Sequence, residues 1–105
     1  MYGARVYSVY IMSNMNRNVF YIGVTNDLFE RVRQHKLDKG SVFAAKYKCH
    51  DLVYYEDFNF INQAIAREKQ LKNWKRIWKI DLIKTINPLM KDLSLNWNLW
   101  NEMPG

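Results

Sequence analysis

Residues 5–12, RVYSVYIM, and 19–24, VFYIGV, are dense in Val, Ile, Tyr and Phe, and only the polar hexapeptide SNMNRN separates them. β-branched and aromatic side chains suit a pleated surface, and a short polar connection between two such runs closes a hairpin. An antiparallel pair is the expectation. With residues 13–18 as the loop, Tyr10 stands opposite Tyr21, both on one face of the sheet.

The chain then changes period. TNDLFERVRQHK reads as a helix from Asn26 or Asp27, where Asp27 and Glu30 have the spacing of a capping box. Leu28, Arg31, Val32 and His35 follow the i, i+3, i+4, i+7 rule, so Arg31 and His35 lie on the face turned toward the sheet. Residues 37–50 form a loop with room for one short helical turn, and LVYYEDF at 52–58 is a third strand. A long helical pattern runs from residue 61 to 86, with a break expected near Trp78, and Asn87–Pro88 ends it. The order β-β-α-β-α-α does not alternate as a parallel βαβ fold does. It predicts an α+β domain, a small three-stranded antiparallel sheet flanked by helices, over 1–93, with a C-terminal tail at 94–105.

A chain of 105 residues with 49% hydrophobic content holds one core and is not a disordered segment. Cys49 alone makes no internal disulfide, and with only His35 and His50 there is no structural zinc set, which suits a reducing, cytoplasmic setting. No apolar run is long enough to span a membrane. The formal charge is +6, and it is uneven. Residues 31–48 hold six basic groups against one acidic, 67–84 hold seven against two, and the intervening 49–66 hold three acidic and no Lys or Arg. Two basic blocks point to a polyanion such as nucleic acid, with two solvated helix faces as the plain alternative.

Ile61, Ala64, Ile65, Glu68, Leu71 and Lys72 form one helical stripe with Glu68 near its middle. A carboxylate there is an ion pair with Arg31, a metal ligand, or a group that a rotated helix exposes. The Tyr10–Tyr21 pair, taken alone, is explained as a cross-strand aromatic contact. Two phenols, a guanidinium, an imidazole and a carboxylate converging from three elements instead suggest a site.

SVYIM, FYIG ten residues on, TNDLFERVRQHK, AIAREKQLKNWKR and NPLMKDL together resemble the GIY-YIG nuclease superfamily over about residues 5–93, closest to its small single-domain bacterial branch. The same module occurs in the incision subunit of bacterial excision repair. The resemblance makes Tyr10 and Tyr21 the two motif tyrosines, Arg31 the catalytic arginine, His35 the aromatic or histidine position one turn later, and Glu68 the metal-binding glutamate. Ser8 stands where the first glycine is usual. Val24 stands where some relatives carry lysine, and the polar residue near the domain's end corresponds to Asn87 or Asp92.

The implied activity is hydrolysis of phosphodiester bonds, in DNA before RNA, with one Mg²⁺ or Mn²⁺ on Glu68 and in a repair or recombination context. Arg31 would stabilise charge on the phosphate, and Tyr21, ahead of Tyr10, would take a proton from water. His35 would orient Tyr10 or relay a proton. Arg33, Lys36, Lys46, Lys72, Lys75 and Arg76 are the expected backbone-phosphate contacts, giving structure-selective or weakly selective binding. Trp74, Trp78, Trp97 and Trp100 are chiefly core, the last two also suited to base stacking or a homodimer surface. A non-catalytic nucleic-acid-binding module and a protein-interaction domain that uses the SLNWNLW segment are the alternatives, and a partner protein supplying targeting is compatible with either.

Overall fold

The computed structural model describes residues 6–100, so Arg5 of the first run and 101–105 of the expected tail lie outside the described residues. The elements are β1 (Tyr7–Ser13), β2 (Phe20–Thr25), α1 (Leu28–Lys36), α2 (Val42–Lys46), β3 (Asp51–Phe58), α3 (Ile61–Lys72) and α4 (Arg76–Ile86). The strands form one antiparallel sheet in the order β2-β1-β3, which is the α+β arrangement expected.

Strand alternation gives the central strand two cores. Val9 and Ile11 of β1 and Ile22 of β2 pack with Ala64, Leu71 and Ile83 of α3 and α4. Tyr10 and Met12 point the other way and pack with Val32, Ala44, Cys49 and Leu52. Residues 94–100 close over this second layer: Leu99 is buried in it and Trp97 stacks on Phe29 with ring centroids 5.9 Å apart. None of the helices among the described residues is long and apolar enough to cross a membrane.

The hairpin register differs from the expected one. Tyr10 faces Gly23 and Tyr21 faces Met12, a slip of two residues. The loop runs from Asn14 to Val19, because the Asn14 side chain closes it. Its Oδ1 accepts from the N–H groups of Asn18 and Val19 at 3.0 and 3.1 Å, and Arg17 takes the left-handed conformation with φ 58°. A slip of two conserves side-chain parity, so Tyr10 and Tyr21 still share a face.

Local chemistry sets the other ends. Asp27 caps α1 by accepting from the Glu30 N–H at 3.1 Å, but only this half of the box forms. The Asp27 N–H goes to Thr25 Oγ1, and Glu30 pairs with Arg33 instead. The expected short turn is α2, capped by Ser41. The long helix breaks at residues 73–75 rather than near Trp78, with Lys75 extended at φ −66°, ψ 153°. Leu71 and Ile83 enter the same core, yet a straight helix would carry residues twelve apart about 18 Å along its axis. The chain must therefore fold back between them.

Asn87 and Asp92, the two candidates for a polar site residue near the domain's end, are both anchors. Buried Asn87 donates to the Val53 and Lys91 carbonyls at 2.9 and 2.8 Å. Asp92 accepts from the Leu52 N–H at 3.0 Å and pairs with Lys36 at 2.8 Å. Ser8, in place of the usual glycine, donates to Asp57 of β3 at 2.6 Å. Asn87→Ala would strand a buried β3 carbonyl, and we expect a loss of about 1–3 kcal/mol in denaturant unfolding. An unchanged midpoint would show that the anchor is dispensable.

Candidate active site

Tyr10 reaches from the central strand to α1, where its Oη lies 2.8 Å from His35 Nε2. Both side chains are about 2% exposed. Two glycines make this contact possible. A Cβ on Gly23, directly across the ladder, would lie 2.5 Å from the Tyr10 hydroxyl, and one on Gly40 would collide with the His35 ring at Nδ1. Tyr21 completes an aromatic cluster, with its ring 6.3 Å from Tyr10 and 5.2 Å from His35 between centroids.

Burial, above all, pushes the Tyr10 phenol well above the usual tyrosine range, and Tyr21 adds to the rise. Two further charges reach this phenol: Arg31 opposes the rise and Glu68 reinforces it. The His35 imidazole is pushed down to about 4, first by lost hydration and then by the Arg31 and His50 charges. It is therefore neutral at physiological pH, and among the described residues its Nδ1 has no hydrogen-bond partner.

Arg31 approaches from α1 with one Nη donating to the Gly40 carbonyl at 3.3 Å. It opens onto a depression of about 230 Å³ shared with Tyr7, Val24, Thr25, Asn26 and Ile61. This depression joins the α1 layer to the start of α3 around β2, an edge strand. Glu68 comes from α3 on the opposite face of the sheet. Its side chain is only 16% exposed, so the helix does not turn it into solvent, and its ionic partner is Lys72 at 3.3 Å rather than Arg31.

The expected phosphate contacts fare unevenly. Lys46 and Lys75 lie beside exposed aromatic rings, and Lys72 accompanies Glu68. Arg33 braces Glu30. Lys36 is spent inside the domain, donating to the His50 carbonyl and to Asp92, both at 2.8 Å. Sequence reasoning missed two neighbours of the cluster. Gly40 carries no periodic signal that ties it to His35, whereas the i, i+4 spacing of Phe43 and Tyr47 was a readable clue to an aromatic face on α2. Phe43 lies 6.3 Å from the Tyr21 ring.

Buried Tyr10 and His35, partly buried Tyr21 and the Arg31 guanidinium thus gather where α1 meets the sheet, while Glu68 lies on α3 with Lys72. Residues 6–81 match the GIY-YIG catalytic domain, and the chain belongs to that nuclease family. Within it, the chain is 30% identical over 76 residues to a UPF0213 protein of Staphylococcus epidermidis, covering 72% of this chain and 92% of that one. A UPF0213 protein of Haloquadratum walsbyi is 31% identical over 68 residues, covering 65% of this chain and 75% of its own. A UPF0213 protein of Vibrio parahaemolyticus is 54% identical over 35 residues, and this chain spans only 32% of its length. The solution structure of the UPF0213 protein BH0048 from Bacillus halodurans shares the fold, with a TM-score of 0.52 at 24% identity, over 87% of this chain and 97% of that one.

The depressed His35 value makes a stability prediction. An unfolded histidine binds a proton near pH 6.5, whereas this one does so only near 4. Between those limits the unfolded state holds more protons, so stability falls as pH falls, by up to about 1.4 kcal/mol per pH unit. Urea titrations at pH 7 and pH 5 should register the loss, with a shallower slope for His35→Phe. Equal slopes for both proteins would remove His35 from the account.

Proposed function

We propose that this chain is a divalent-metal-dependent endonuclease that hydrolyses phosphodiester bonds in nucleic acid, DNA before RNA, in a repair or recombination setting. The observation that carries the reading is the buried Tyr10–His35 contact at 2.8 Å, packed against Tyr21, with Arg31 entering from the same helix as His35.

Among the described residues no three His, Cys, Asp or Glu side chains gather as a metal cage. A single half-buried carboxylate suits Mg²⁺ or Mn²⁺, which takes one or two protein carboxylates and completes its shell with water and substrate phosphate. Glu68 is the residue that would hold it, exchanging Lys72 for the ion. When bound, the ion supplies positive charge to the phosphate oxygens.

The chain's own groups divide the remaining work. Arg31 places planar, permanently charged donors on the non-bridging oxygens, where negative charge grows in the transition state. Tyr10, raised by burial, is a poor base. We assign the His35 proton to Nε2, so that the ring donates to Tyr10 Oη and the packed Nδ1 keeps a lone pair rather than a stranded N–H. Tyr10 then has its own O–H to donate, which orients the attacking water or a phosphate oxygen. Tyr21, less buried and beside it, is the group we assign to take the proton from water, as its phenolate and so becoming the neutral phenol.

The test is cleavage of labelled branched, single-stranded and duplex DNA, and of RNA, with Mg²⁺ or Mn²⁺. Tyr21→Phe, Arg31→Ala and Glu68→Ala should each lower the rate by about 100-fold or more, and chelator should abolish cutting. Cleavage that survives all three substitutions would overturn the mechanism. Binding without cleavage by the wild type would leave only a nucleic-acid-binding module.

A further inference from the structure

A second concavity lies beside the site, along the outer edge of β2. It measures about 340 Å³, and its walls include Phe43 and Tyr47 of α2, Phe20 of β2, and Arg76 and Lys79 of α4. That volume is at the lower end of the roughly 300–1,000 Å³ typical of ligand clefts. Its aromatic wall is unusual for a surface. Phe43 is 47% exposed and Tyr47 is 41% exposed, with ring centroids 4.8 Å apart, while the only buried residue of α2 is Ala44. These rings do not serve the core. Phe43 also touches the aromatic cluster through Tyr21, so the groove runs directly into the site.

The opposite wall is cationic. Arg76 and Lys79 are one helical turn apart and share a face. Burial, and then the Arg76 charge, holds the Lys79 ammonium below the usual lysine range. Among the described residues no carboxylate lines the groove, and Lys46, just outside its walls, holds its ammonium over the Tyr47 ring at 5.4 Å. The two basic blocks of the sequence thus meet here, across one edge strand.

We propose that this groove is a stacking subsite for unpaired nucleotides of the strand being cut, with bases on Phe43 and Tyr47 and phosphates on Arg76 and Lys79. The proposal deepens the nuclease reading and rests on it for the strand's orientation. A duplex keeps its base faces inside the stack, where a side-chain ring cannot reach them. An unpaired strand presents both base faces and backbone charge, the two features that the walls match. The occupant is therefore single-stranded nucleic acid, or the unpaired arm of a branched one.

The test is fluorescence anisotropy in chelator, where nothing is cut, with labelled thymidine and uridine oligonucleotides of about ten residues and a blunt DNA duplex. Phe43→Ala with Tyr47→Ala should weaken single-strand binding by roughly tenfold or more in at least one of the two arms and leave the duplex within about twofold. Phe43→Tyr with Tyr47→Phe, which keeps both rings, should bind as the wild type does. Arg76→Ala with Lys79→Ala should weaken single strands and flatten their salt dependence, which provides a second reading should the alanine pair unfold. Single-strand binding unchanged by the loss of both rings, or single strand and duplex weakened alike, would overturn the subsite. Because no metal is present, the two readings separate. Ring-dependent binding without any cutting keeps the groove and removes the nuclease, whereas Glu68-dependent cutting with ring-independent binding removes the groove alone.

Discussion

The hydrogen bond between Tyr10 and His35 is the constraint around which this domain is arranged. A phenol and an imidazole buried together cost free energy unless they satisfy each other, so the bond fixes the distance between the central strand and α1. Gly23 and Gly40 have their identity dictated by it, because any Cβ at either position strikes one of the two rings. Arg31 takes its place from the same helix and is held by the carbonyl of the same glycine loop. The chemistry of the site and the packing of the fold are one arrangement seen at two scales.

Much of this was legible in the sequence, for identifiable reasons. The central hairpin, α1, the third strand and the stop at Asn87 all rest on period and on strong punctuating residues. The faces of Tyr10, Tyr21, Arg31 and His35 followed from parity and from helical spacing, and both survive a register slip of two. The register itself was not legible, because the loop is closed by one asparagine side chain whose reach cannot be counted from loop length. The break between α3 and α4 was misplaced because Leu71 and Ile83 are drawn into a common core, a tertiary demand that local pattern does not express. Glu68 was visible as an anomaly in an apolar stripe, but its ion pair with Lys72 and its position on the far face of the sheet belong to three dimensions.

The charge pattern resolves in the same way. Lys36, expected at a phosphate, is structural and ties α1 to Asp92, and another cation of the second basic block, Arg67 of α3, is held by Glu56 of β3 at 3.0 Å and packs over Trp74. The acidic segment between the basic blocks supplies Glu56 for Arg67 and Asp51 for Arg17. Along the β2 edge, by contrast, Arg76 and Lys79 stand beside the Phe43 and Tyr47 rings.

The hexapeptide hairpin loop has a further consequence. Because strand faces repeat every two residues, a hairpin that re-pairs by two leaves every side chain on its own layer and changes only the neighbours across the ladder. A re-pairing by one residue would instead turn β2 over relative to β1 and take Tyr21 off the face it shares with Tyr10. The partition of this hairpin between its two layers therefore rests on the parity of the pairing and not on the particular partners across the ladder.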